Sequence, residues 1–183
     1  MDHLYFTRHG QTIWNVENKI CGATDIVLTD TGCEQAKALG VEIREKLEKG
    51  EIKIDEIWCS PLSRAKNTAQ FIADETGIPL KVEQRLIEQN FGRFESTARD
   101  GVEFKESKTH FVDSYEGGES MLHLAQRIYN VLDEIKAGDK VILIVAHNGI
   151  ARSVQSYFFD MTNEEYSRFG IKNCQLLRYE YKD

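Results

Sequence analysis

A chain of 183 residues, 41% hydrophobic and 29% charged, fits one soluble globular domain with a sizeable core. Its net charge of −7 argues against nucleic acid as a partner, and no apolar run of 18 or more residues offers a membrane span. A small anionic ligand is not excluded, because a few arginines can reverse the field inside one cleft.

In chain order, Leu4 to Thr7 reads as a short buried strand, followed at once by Arg8-His9-Gly10. Thr29 can cap a helix with its apolar stripe on Ala36, Leu39, Ile43 and Leu47, and Gly50 is a plausible stop. Ile54 to Cys59 reads as a second strand. Ser60-Pro61 then predicts an N-cap with proline at the first helical position, and Leu62, Ala65, Ala69 and Ile72 carry that helix to Gly77. Leu80 to Val82 is a third, short strand. The stretch 91–116 is weakly patterned, and a lid is expected there. Ser120 opens an amphipathic helix through Met121, Leu124, Ile128, Leu132 and Ile135, which ends at Gly138. Val141 to Ala146 is apolar without alternation, as in a strand covered on both faces. His147-Asn148-Gly149 leads a helix through Phe159, Thr162 with Glu165 forms a capping-box pattern, and Leu176 to Tyr181 is a last strand.

Strands alternating with helices predict an α/β domain with a largely parallel sheet, which binds ligands beyond the carboxyl ends of its strands. Three polar groups fall on that edge: Arg8-His9, Ser60 to Arg64, and His147-Asn148. Two adjacent potential cations, Arg8 and His9, suit a bound dianion, since arginine grips phosphate oxygens in a fork geometry and histidine can form a covalent intermediate. Arg64, in the first turn of a predicted helix, is mildly unfavourable by itself and fitting beside an anion. A histidine nucleophile, cations to neutralise the equatorial oxygens and a carboxyl group to shuttle a proton are the parts of phosphoryl transfer through histidine. His9, then Arg8, Arg64 and His147, then Glu88 are the candidates. No His-Glu-x-x-His pattern points to a metal, so neither metal nor cofactor is expected.

In these residues the chain resembles the histidine phosphatase superfamily, the phosphoglycerate-mutase-like group. The opening motif matches Arg8 through Asn15. Gly22, Asp25, Leu28-Thr29, Gly32 and Gln35-Ala36 match the segment after it. Ser60-Pro61-Leu62-Ser63-Arg64-Ala65 with Thr68-Ala69, Leu86-x-Glu88 with Phe91-Gly92, Gly118-Glu119-Ser120, and Ala146-His147-x-Gly149-x-x-Arg152 match the rest in order. The resemblance implies a three-layer α/β/α sandwich with a mostly parallel six-stranded sheet. It implies His9 as phosphorylated nucleophile, Glu88 as proton donor, and Arg8, Arg64 and His147 as the phosphate pocket. Asn15, Cys21 and Gly22 would line the substrate side, and Asn148 would offer a backbone N–H. The chain departs from the pattern at Lys19, Cys21 and Phe94-Glu95-Ser96, which leaves the catalytic groups in place and the substrate open.

The expected function is hydrolysis of a small phosphorylated metabolite through a phosphohistidine. The alternative is a 2,3-bisphosphoglycerate-dependent phosphoglycerate mutase, against which stands the short connection of 28 residues between Glu88 and Gly117. A scaffold that has lost catalysis would lack His9, Glu88 or His147. Met1-Asp2-His3 does not open a signal peptide, and Cys21, Cys33, Cys59 and Cys174 form no Cys-x-x-Cys pair, so a cytoplasmic protein with free thiols is expected. Oligomeric state is open, a homodimer included.

Overall fold

The computed structural model describes residues 1–182. Five strands form one sheet: β1 (His3–Arg8), β2 (Glu56–Cys59), β3 (Leu80–Val82), β4 (Ile142–Ala146) and β5 (Leu176–Glu180), in the spatial order β3-β2-β4-β1-β5. The first four run parallel, and β5 pairs antiparallel with β1. The six-stranded sheet implied by the resemblance is therefore corrected to five among the described residues. The five apolar segments of strand length supply the five strands. The stretch after Glu88 adds no strand and forms a 3₁₀ turn at Gly92–Phe94 and a short helix.

The helices are α1 (Ile13–Val16), α2 (Asp30–Glu48), α3 (Ser63–Thr76), α4 (Val102–Ser107), α5 (Met121–Ala137), α6 (Asn148–Phe158) and α7 (Asn163–Arg168). The central strand β4 is buried along its whole length, as its unbroken apolar run predicts. Its residues point alternately to two layers. Ile142, Ile144 and Ala146 pack with Leu124, Ile128 and Leu132 of α5 and Ile150 and Val154 of α6. Leu143 and Val145 pack with Leu39 and Ile43 of α2 and Ala69 and Ile72 of α3. Each buried leucine, isoleucine or valine among them contributes about 1.5–3 kcal/mol, so both faces of the sheet are firmly packed. A third apolar cluster stands apart from the sheet: Ile20, Phe91, Phe94, Phe104, Tyr115, Met121 and Tyr166. It gives the 91–116 stretch a core of its own despite the lack of sequence periodicity. No described helix is long and apolar enough to cross a membrane.

The helix caps follow the sequence at Thr29, Ser120, Thr162 and Gly77. They do not at Ser60-Pro61. Helix α3 begins at Ser63 with Leu62 as its N-cap and no side-chain cap. The Ser60 hydroxyl is instead 2.6 Å from His147 Nε2 and accepts the Leu62 N–H. The capping role passes to Asp25, whose carboxylate accepts both the N–H and the hydroxyl of Ser63 at 2.8 Å. A local signal gave way because the hydroxyl has a long-range partner at the carboxyl edge of the sheet.

Candidate active site

That edge brings together the three polar groups expected there. Arg8 ends β1, Ser60 follows β2 and His147 follows β4. His9 is held by its backbone. Its N–H donates to the Ala146 carbonyl and its own carbonyl accepts from Asn173 Nδ2. His9 Nδ1 lies 2.6 Å from the Gly10 carbonyl oxygen. A carbonyl can only accept, so Nδ1 carries the hydrogen and Nε2 keeps its lone pair. The ring is only 4% exposed. Burial first, and then the charges of Arg8 and Arg64, hold its pKa well below that of a free histidine. A neutral imidazole with a free Nε2 is the state a nucleophile requires.

His147 is fully buried, its ring centroid 5.2 Å from that of His9. Burial and then Arg64 lower its pKa in the same sense. Arg64 is likewise fully buried, and its guanidinium donates to the carbonyls of Thr24 and Gly22 at 2.9 and 2.7 Å. Arg8 donates from Nη1 to the Ile171 carbonyl at 2.9 Å, and burial lowers its pKa to about 10. Each of these three side chains keeps one buried nitrogen without a hydrogen-bond partner in the protein: Arg8 Nε, Arg64 Nε and His147 Nδ1. Among the described residues only two further buried side-chain atoms share that state, Arg44 Nε and Tyr115 Oη. An unsatisfied buried donor costs about 1–3 kcal/mol, so three around one histidine are a marked local expense. Of the three, Arg8 lines the cavity beside His9, while Arg64 and His147 lie behind its wall.

Glu88 is 4% exposed and is held by two backbone donors: Oε2 accepts the Gly149 N–H and Oε1 the Gln89 N–H, each at 2.9 Å. The first contact explains the glycine. A Cβ on residue 149 would fall 2.4 Å from Glu88 Oε1. The N-terminus of α6 thus fixes the position of the carboxyl group.

A cavity of about 70 Å³ opens beside His9, lined by Arg8, Asn15, Cys21, Glu88, Asn148 and Gly149. Asn15 and Cys21 therefore stand on the wall as expected, and burial raises the Cys21 thiol to about 11. Gly22 does not line the wall. It is a support, packed where a Cβ would meet Glu95 and the Gln89 carbonyl. The sequence reading missed Arg99, Lys108 and Arg152, all on the same wall. Arg152 was accessible, since it lies four residues after Asn148 on one helix and hence on the same face. Arg99 and Lys108 sit in the unpatterned 91–116 stretch, which carries no periodic signal to place them.

A profile of the histidine phosphatase superfamily (branch 1) matches residues 4–183, and the chain belongs to that family. Over its full length it is 32% identical to a probable phosphoglycerate mutase, GpmB, of Yersinia pestis, covering 86% of that protein. Its structure is similar to that of a phosphoserine phosphatase of Entamoeba histolytica in complex with 3-phosphoglyceric acid, with a TM-score of 0.80 and 26% identity over 99% of this chain and 94% of that one. It is equally similar to a mycobacterial glucosyl-3-phosphoglycerate phosphatase, with a TM-score of 0.80 and 25% identity over 97% of this chain and 89% of that one.

The two buried histidines make a measurable prediction. Both should remain neutral on acidification below pH 6.5, the ordinary histidine value. The unfolded chain then binds protons that the folded chain refuses, so unfolding free energy should fall as pH drops below about 6.5. In phosphate-free buffer at pH 6, imidazole ¹⁵N shifts should report His9 as the neutral Nδ1–H tautomer. A charged His9 ring there would contradict this geometry.

Proposed function

We propose that the protein is a phosphomonoesterase that hydrolyses a small phosphorylated metabolite through a phosphohistidine on His9. The observation that carries this reading is that Arg8, Arg64 and His147, each with a buried nitrogen left without a partner, lie close to a neutral imidazole. In the first step the His9 Nε2 lone pair forms the N–P bond as the ester P–O bond breaks. Charge on the equatorial oxygens is met by Arg8, Arg64 and His147, and the Glu88 carboxyl group gives its proton to the departing alkoxide. In the second step the Glu88 carboxylate takes a proton from water as the water oxygen attacks phosphorus. The N–P bond breaks, and inorganic phosphate leaves with neutral His9 restored.

Rapid quench with labelled substrate should trap a base-stable, acid-labile adduct, and His9→Ala should abolish it. An adduct or normal turnover in that variant would overturn the assignment. Glu88→Gln should slow alkyl phosphates, whose leaving oxygen is strongly basic, far more than nitrophenyl phosphate. The alkyl substrate should slow by about 10²–10⁴, the range of general acid catalysis, at least about tenfold more than nitrophenyl phosphate, and equal slowing would place Glu88 in another role.

The likeness to GpmB supports a second reading, a phosphoglycerate mutase. A mutase must exclude water while its product reorients. The short connection after Glu88 gives fewer residues for that closure, which favours hydrolysis. With 3-phosphoglycerate and a trace of 2,3-bisphosphoglycerate, phosphate release is expected to outrun formation of 2-phosphoglycerate. Isomerisation ahead by tenfold, about 1.4 kcal/mol in relative barriers, would promote the mutase.

A further inference from the structure

The sheet has two free edges, at β3 and at β5. An open edge is a template for another chain, and proteins blunt it with short strands or a lysine. β3 is blunted in both ways. It has three residues, and the ammonium of Lys81 at its centre lies 4.0 Å from the Trp58 ring centroid. β5 has five residues and pairs with β1 alone. Its ladder sets Leu4 opposite Tyr179 and Phe6 opposite Leu177, and continues with the Tyr181 N–H donating to the Asp2 carbonyl at 2.8 Å. Hydrogen-bonded pairs alternate along an antiparallel ladder. Leu177, Tyr179 and Tyr181 therefore spend their main-chain groups on β1. Those of Leu176, Arg178 and Glu180 point away from the sheet, with no partner strand among the described residues.

The side chains on that edge divide in the same way. Leu177, Tyr179 and Tyr181 turn into the layer of α5 and α6. Leu176 turns towards α2 and α3, and by strand alternation Arg178 and Glu180 share its face. Both are exposed there, 3.1 Å apart. Opposite charges two residues apart on an outer edge are self-complementary. Lay a second copy of β5 antiparallel about a twofold axis through Tyr179. Arg178 then faces Glu180 of the second copy, and Glu180 faces its Arg178, each as a hydrogen-bonded pair made by the outward main-chain groups. Opposite charges directly across a ladder attract, and like charges repel. Other registers lose this match. An axis through Arg178 or through Glu180 sets that residue against itself, and one through Leu177 sets Arg178 against Leu176. An axis between two residues sets outward main-chain groups against inward ones. On the opposite face, next to Tyr179, Phe159 is 49% exposed with its ring centroid 6.3 Å from that of Tyr179, an apolar surface at the same edge.

We propose that β5 is the contact edge of a homodimer, in which two copies pair their β5 strands antiparallel about a twofold axis at Tyr179 and one sheet runs through both. The partner is a second copy of this chain because the charge pattern matches itself in this register. The contact is isologous and closes at two copies. It stands independently of the chemistry assigned to the His9 cavity.

Sedimentation equilibrium of the full chain at micromolar concentration should show a dimer. Arg178→Glu and Glu180→Arg should each weaken it by at least about tenfold in Kd, because two symmetry-related pairs then set like charges face to face. Combined in one chain, the two substitutions restore opposite pairs, and the affinity should return. Mixed in equal amounts, the two single variants should form a heterodimer, since each supplies the charge that the other lacks. Both side chains are exposed, so far-UV circular dichroism should be unchanged in every variant. Hydrogen exchange of the Arg178 and Glu180 amides should be slow in the wild-type dimer and fast in the single variants, while the Tyr179 amide, bonded to β1, stays protected in all. A wild-type monomer, a dimer indifferent to both substitutions, or single variants that stay apart when mixed would overturn the proposal. So would a dimer whose Arg178 and Glu180 amides exchange freely, which would place the contact on another face.

Discussion

Positive charge crowded against an uncharged imidazole is the constraint around which this edge of the molecule is built. Desolvation and the fields of Arg8 and Arg64 act together on His9, and both oppose its protonation. The hydrogen bond from Nδ1 to Gly10 then settles which nitrogen carries the single hydrogen. The arrangement costs stability, because cations are brought near one another and three of their donors or neighbouring donors stay unsatisfied. Two apolar layers on either side of β4 bear that cost. Local expense at one edge, offset by an ordinary core elsewhere, is the expected division around a functional site.

The supports of the site come from distant parts of the chain. Thr24 and Gly22 hold Arg64 through backbone carbonyls. Their loop is held in turn by Glu95, whose carboxylate accepts from Gly22 N, Ala23 N, Thr24 Oγ1 and Phe91 N. Glu95 is one of the positions where the chain departs from the family pattern, and this clamp is what the departure does here. Arg127 binds Glu119 through two contacts of 2.7 and 2.8 Å and also donates to the Arg85 carbonyl, while Gln89 Nε2 donates to the Glu119 carbonyl. The segment carrying Glu88 is thereby tied to the start of α5.

The cavity wall beyond His9 is made from two segments that meet only in the fold. Ile20 N donates to Thr97 O, Ser96 N to Ile20 O, and Arg99 N to Asn18 O. This short ladder carries Cys21 from one segment and Arg99 from the other to the same wall. The third apolar cluster, with Phe91, Phe94 and Phe104 at its centre, anchors the second segment and places Lys108 one turn after Phe104. The position of Lys108 on the wall therefore depends on aromatic packing some distance from His9.

The layer architecture and the polar carboxyl edge were both legible in local pattern. Short apolar runs and an apolar spacing of about 3.6 residues are local, and they marked all five strands and the long helices. Polar residues directly after β1, β2 and β4 had nowhere to go but the carboxyl edge. Long-range contacts set the rest. Ser60 reads locally as a cap, yet its hydroxyl went to His147, and Asp25, 38 residues earlier, capped α3. Gly22 reads as a lining residue and is a support, because Glu95 and Gln89 occupy the space around it. Arg99 and Lys108 belong to a stretch whose order comes from aromatic contacts rather than from repeating pattern. Which of the chain's cations would share one cavity is set by those long-range contacts, and no local period encodes it.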